Sequence, residues 1–171
     1  MGVLSVMNLS YPDVAEQLLK AGANPNVQDR GIGNGRCLLL TPGHDAARVG
    51  YVRTLKVLLK YGADTNIRDG HGNTLAHLAA KHGQLSVLKV LARGSDLSIR
   101  NLAGQTPLDY LMPEHARSES EVAFLTELKT QPRPLKYLAV TSIRKHLGTE
   151  RLALLHRLPL PPPLKDNLIL K

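Results

Sequence analysis

Apolar residues recur at spacings of three and four in four stretches of this chain: Leu55, Leu58 and Leu59; Leu85, Leu88 and Leu91; Val122, Leu125 and Leu128; and Leu135, Leu138, Ala139 and Ile143. That spacing gathers each set on one helix face and predicts four amphipathic helices. The residues between them repeat as well. Thr41-Pro42-Gly43-His44-Asp45-Ala46-Ala47, Thr74-Leu75-Ala76-His77-Leu78-Ala79-Ala80 and Thr106-Pro107-Leu108-Asp109 are versions of one segment, with their threonines 33 and 32 residues apart. Gly22-Ala23-Asn24, Gly62-Ala63-Asp64 and Gly94-Ser95-Asp96 are versions of another. Gly22 and Gly62 are 40 apart, so an insertion of seven is expected within 30–40, between two units.

Each part of the repeat has a physical use. A threonine hydroxyl can cap the free backbone donors that open a helix. Paired alanines (Ala46, Ala47, Ala79, Ala80) let neighbouring helices approach closely. Gly62 and Gly94 are expected to end the second helix in a left-handed turn. Turns at Asp69-Gly70 and at Asn101 then begin the next unit. Four units follow, about 1–27, 29–66, 69–99 and 101–130. The first lacks much of its first helix, and a truncated form is expected. The fourth has lost the histidine, and its second helix (Glu121 to Lys129) is expected to turn Val122, Leu125 and Leu128 inward as a cap. Local looseness is expected at Gly43 and at Leu75-Ala76.

A period of 33 with these helix starts resembles ankyrin repeats, in which stacked units are stabilised by their nearest neighbours. Within that family, three features resemble the INK-type inhibitors of G1 cyclin-dependent kinases, over about residues 3–111. They are the run Val14 to Asn26, the segment His44-Asp45-Ala46-Ala47-Arg48 followed by Thr54-Leu55-Lys56-Val57-Leu58, and the residue missing before Ser95-Asp96-Leu97. The resemblance implies that Asp45 and Arg48 face a kinase, with Asp29 a further contact. Without it, Asp45 and Arg48 read as an exposed ion pair on one helix face, worth about 0.2–0.5 kcal/mol. The first full repeat of those inhibitors is absent here.

The tail carries an apolar helical face and then the run Leu158-Pro159-Leu160-Pro161-Pro162. Alone, such a face cannot bury its own leucines, so it must cap the last unit or dock on a partner. The prolines hold the chain extended and lower the entropy lost on binding, which favours docking. This tail resembles a SOCS box, the segment through which substrate receptors join an Elongin–cullin ubiquitin ligase. Leu135, Leu138 and Ile143 match its helix, and Leu158 to Pro161 its Leu-Pro-Leu-Pro run. Ala139 stands where that family usually has Cys, and Asn167 where it usually has an aromatic residue. The resemblance implies Elongin B/C contacts at Leu135, Leu138, Ala139 and Ile143, and cullin contacts at Leu158, Pro159, Leu160, Pro161 and Leu164.

Composition narrows the remaining classes. Apolar residues make up 43% of the 171, but with no Trp and one Phe the core must be aliphatic. No apolar run reaches the length of a membrane span. One cysteine, Cys37, excludes an internal disulfide and suits the cytosol or nucleus. The net charge of +8 belongs to the tail, where nine Lys/Arg from Lys129 onward face two Asp/Glu. Only Tyr137 offers a stacking ring there, so nucleic-acid binding is not expected. The seven histidines lack zinc-ligand spacing; His44 and His77 read instead as helix-start residues that hydrogen-bond across repeats. No nucleophile with an oriented base is visible, and Gly31 to Gly35 lacks the Lys-Ser/Thr of a phosphate loop. No catalytic residue, metal or cofactor is expected.

The expectation is an all-α protein: an ankyrin-repeat solenoid of about 3.5 repeats over 1–130, with an insertion at 30–40, and a SOCS-box-like helical tail over 132–171. Its expected role is a non-catalytic substrate-recognition adaptor that binds Elongin B/C and a cullin scaffold, with a protein target that the INK resemblance makes a G1 cyclin-dependent kinase. The alternative is stoichiometric kinase inhibition without ubiquitination.

Overall fold

The computed structural model describes residues 10–29, 38–111 and 118–130. Among them are six α-helices: α1 (Pro12–Lys20), α2 (Pro42–Val49), α3 (Val52–Lys60), α4 (Leu75–Lys81), α5 (Leu85–Leu91) and α6 (Glu119–Thr130), with a 3-10 turn at Pro107–Tyr110. Within units, α2 packs on α3 and α4 on α5. Between units, α2 packs on α4 and α4 on the 3-10 turn, forming an inner row. In the outer row α1 packs on α3 and α3 on α5. This is the repeat solenoid the spacing predicts. The small residues sit where the rows meet: Ala46, Ala47, Ala79 and Ala80 are fully buried. Leu55, Leu58, Leu88 and Leu91 fill the space between rows, and the core is aliphatic as composition requires.

The three threonines open three capping boxes, with His44, His77 and Asp109 as the reciprocal partners. In the first two the histidine does more than cap. The Thr41 amide donates to His44 Nδ1 at 3.1 Å, and the Thr74 amide to His77 Nδ1 at 3.1 Å. A ring nitrogen that accepts carries no proton, so each Nε2 holds the hydrogen. It donates to the next unit: His44 to the Asn73 carbonyl at 3.1 Å, His77 to the Gln105 carbonyl at 3.0 Å. Burial is the main cause holding both rings below the ordinary histidine value, against smaller opposing pulls from the carbonyl bonds and Asp69.

Three hairpin fingers join the units. They close through Asp29 N to Leu40 O, Asp69 N to Asn73 O, and Asn101 N to Gln105 O. Finger bonds to finger through Gly70 N to Leu38 O (2.8 Å) and Leu102 N to His71 O (3.1 Å). Leu38 and His71 each stand three residues before their threonine, so the ladder keeps its register across the insertion. The extra length therefore falls between Asp29 and Leu38 in the sequence, outside the described residues.

Three expectations need correction. Gly62 is left-handed at φ 89°, but Gly94 is not among the positive-φ glycines. One residue is missing here, so the Ser95 amide closes on Leu91 O four residues back, where Ala63 closes on Leu58 O five back; the tighter closure requires no left-handed residue. The looseness expected at Gly43 is absent. Leu75 is fully buried, and a Cβ on Gly43 would meet its Cδ2 at 2.9 Å. The two departures from the repeat pattern complement each other, since a small residue in one unit receives the large one of the next. In α6, Leu125 is buried and Leu128 half-buried, but Val122 is 54% exposed. Phe124 turns inward in its place and lies beneath Lys89 of α5, whose Nζ is 5.5 Å from the ring centre.

Two outcomes follow. Leu75→Ala should cost about 2–5 kcal/mol and Gly43→Ala about 1–3 kcal/mol, but the double variant less than the sum, because removing Leu75 relieves the clash. Strict additivity in urea unfolding would show that the two sites do not share space. Stability should also fall with acid. The folded pKa values of His44 and His77 lie below the unfolded value of 6.5. Their contribution is complete above that value and is lost as pH falls from it through the folded pKa, with a slope of at most about 1.4 kcal/mol per pH unit for each ring. His82 is shifted in the same direction and adds the same sign. His77→Gln should flatten this slope in unfolding measured between pH 7 and pH 5.

Candidate functional site

The fingers and the inner row face each other across an open groove of about 760 Å3. Its walls combine apolar residues (Leu38, Leu40, Leu78, Leu102) with Tyr110, His71 and two cations, Arg48 and Lys81. Repeat geometry explains the arrangement. Asp45, Leu78 and Tyr110 are each fourth after their threonine, and Arg48 and Lys81 are each seventh. Equivalent positions of stacked units line up, so Leu78 and Tyr110 fall in one row of the groove and Arg48 and Lys81 in another.

The floor of the groove is a buried polar network. Asp69 Oδ1 accepts from the amides of His71 and Asn73 at 2.8 Å each, and Oδ2 from Asn73 Nδ2 at 3.1 Å. Asn101 Oδ1 accepts from the amides of Ala103 and Gln105, and its Nδ2 donates to Asn73 Oδ1 at 2.8 Å and to Tyr110 Oη at 3.0 Å. A chain of this kind ties successive finger tips to one another and stiffens the groove.

Positive charge concentrates on the inner wall. Lys81 Nζ stands 6.0 Å from the centre of the Tyr110 ring, and His82 is held below its ordinary value first by burial, then by the charges of Arg48 and Lys81. Arg48 Nη2 meets Asp45 Oδ1 at 3.1 Å, with the Asp45 side chain 14% exposed and that of Arg48 43%. Of the residues expected to face a target, then, Asp45 and Arg48 are joined in one pair, and Arg48 lines the groove while Asp45 supports it from the side. Asp29 is exposed on the first described finger, its amide bonded to Leu40 O, and it does not line the groove. Sequence reasoning missed Lys81, Leu78 and Tyr110. Their signal was available, since Lys81 and Arg48 are both basic and both seventh after a threonine.

The tail residues expected to contact Elongin B/C (Leu135, Leu138, Ala139, Ile143) and a cullin (Leu158, Pro159, Leu160, Pro161, Leu164) lie outside the described residues. Among the described residues no group of three or more His, Cys, Asp or Glu is placed to hold a metal ion, and no helix is long and apolar enough to cross a membrane.

Comparison with known proteins accounts for both parts of the chain. The family profile for ankyrin repeats (3 copies) matches residues 3–101, and that for the SOCS box matches residues 131–168. The chain is 38% identical over 88 residues to cyclin-dependent kinase 4 inhibitor B of Rattus norvegicus, covering 52% of this chain and 63% of that one. It is 39% identical over 88 residues to cyclin-dependent kinase inhibitor 2A of Homo sapiens, covering 52% and 53%. It is also 30% identical over 138 residues to XBAT34, a candidate E3 ubiquitin-protein ligase of Arabidopsis thaliana, covering 78% of this chain and 35% of that one. The matches thus span less than two thirds of these relatives.

Asp45→Ala should leave stability nearly unchanged, within about 0.5 kcal/mol, since a pair three residues apart on a helix with its arginine in solvent contributes little. Thermal unfolding checks this; a loss of several degrees would show that the pair holds the fold rather than poising Arg48.

Proposed function

Because the chain belongs to the ankyrin-repeat family and its repeats are followed by a SOCS-box match, we propose that it is the non-catalytic substrate-recognition adaptor of an Elongin B/C–cullin ubiquitin ligase. The repeat face holds a target protein. The tail recruits Elongin B/C through Leu135, Leu138, Ala139 and Ile143, and a cullin scaffold through Leu158, Pro159, Leu160, Pro161 and Leu164. Ubiquitin transfer is then a matter of proximity, carried out by the partner enzymes. The observation that carries this reading is the succession, in one chain, of a repeat match at 3–101 and a SOCS-box match at 131–168. Each part supplies what the other lacks, since a binding face alone marks nothing and a recruiting tail alone selects nothing.

For the target, the proposal is a G1 cyclin-dependent kinase, contacted by Asp29, Asp45 and Arg48. Its support is the similarity of the repeats to two proteins named as cyclin-dependent kinase inhibitors. The same similarity favours one second reading: stoichiometric inhibition of such a kinase without ubiquitination, with the tail serving as a cap or remnant.

A pull-down separates the two. A fully inserted leucine contributes about 1.5–3 kcal/mol, and a carboxylate in its place would be desolvated without a partner. Leu135→Asp should therefore abolish recovery of Elongin B/C while recovery of the target is unchanged. Elongin recovery that survives this variant contradicts the proposed docking. A kinase recovered with the wild-type chain in the absence of Elongin favours the inhibitor.

A further inference from the structure

The groove between the fingers and the inner row has a one-sided charge. Among the described residues that line it, Asp69 is the sole carboxylate, and it is turned inward and buried with both oxygens taken up by three N–H donors. It presents nothing to a ligand. Lys81 is exposed, and among the described residues no carboxylate lies within ion-pair distance of it. Arg48 gives Asp45 one nitrogen, and its side chain, 43% exposed, also lines the groove. Two cations one repeat apart thus face a trough with a polar floor and apolar walls of Leu38, Leu78, Leu102 and Tyr110. A guanidinium fork and an ammonium on one wall are the donors a carboxylate takes.

We propose that this groove binds an extended acidic segment of the target protein, with a carboxylate seated between Arg48 and Lys81 and apolar side chains against Leu38, Leu78 and Tyr110. The proposal rests on the reading of the repeat face as the target-holding surface and gives that target a chemistry. Arg48 and Lys81 fix the register of the segment along the repeats. The apolar wall supplies contact area, and the charge supplies discrimination against neutral or basic chains.

The test uses the full chain and a fluorescein-labelled synthetic peptide alternating glutamate and leucine, followed by fluorescence anisotropy. Glutamine–leucine and lysine–leucine peptides and a single-stranded oligothymidine serve as competing probes. The glutamate peptide should bind saturably and more weakly as salt is raised. Lys81→Ala and Arg48→Ala should each weaken it about tenfold, whereas Lys56→Ala, exposed on α3 away from the groove, should not. No binding of the glutamate peptide, equal binding of the glutamine peptide, indifference to Lys81→Ala, or tighter binding of the oligonucleotide would each overturn the proposal. Elongin B/C capture on the same preparation keeps the two readings apart. Capture retained without peptide binding leaves the adaptor standing and removes the groove's charge preference; glutamine and glutamate peptides bound alike leave a protein-binding face without it.

Discussion

A neutral imidazole bonded in two directions holds one repeat to the next. His44 and His77 accept a threonine amide at Nδ1 and donate from Nε2 to a carbonyl of the following unit. Each stacked repeat contacts only its neighbours, so stability depends on the interfaces between them, and these bonds join the apolar packing there. In the fourth unit Asp109 takes the histidine's place. Its carboxylate accepts from the Thr106 amide at 2.6 Å and from the hydroxyl at 2.8 Å, which holds its pKa below the usual carboxylate value. An ionised carboxylate has no hydrogen to give. It can close its own turn but cannot reach forward, so the row of donations ends there.

The binding face is a consequence of this stacking. Because equivalent positions line up, a residue type repeated at one position becomes a row along the groove, as the basic Arg48 and Lys81 do; Leu78 and Tyr110 are likewise equivalent positions of successive units. The Asp69–Asn73–Asn101–Tyr110 network holds the finger tips at fixed spacing opposite them. A surface built this way is rigid before binding, which reduces the entropy lost when a partner docks. An adaptor has the same requirement, since it must present its target at a set distance from the partner enzymes.

Much of this was legible in the sequence. The threonine anchors, the histidines bonding across repeats and the paired alanines follow from local chemistry repeated at one period. Counting places an insertion before Leu38, and the ladder from Leu38 to Gly70 holds its register after it. What was not legible involves pairs of departures or a face chosen by neighbours. Gly43 and Leu75 each look like a fault alone, and only their contact makes them complementary. Gly94 loses its left-handed turn because a residue is missing beside it. Val122 and Phe124 are equally plausible as inward residues by spacing, and it is Phe124 that packs against the core, beneath Lys89. Lys81 went unnoticed because a single lysine on a helix ordinarily reads as solvated surface, and its meaning comes from Arg48 one repeat earlier.

The proposed function joins a rigid repeat face and a recruiting tail in one chain. Its most direct measurement is calorimetric titration of the full chain into purified Elongin B/C, with the mixture then passed over a sizing column beside a cullin scaffold. The account predicts saturable one-to-one binding and co-elution of chain, Elongin B/C and cullin as one assembly. Absence of saturable heat, with the chain eluting alone, would contradict it.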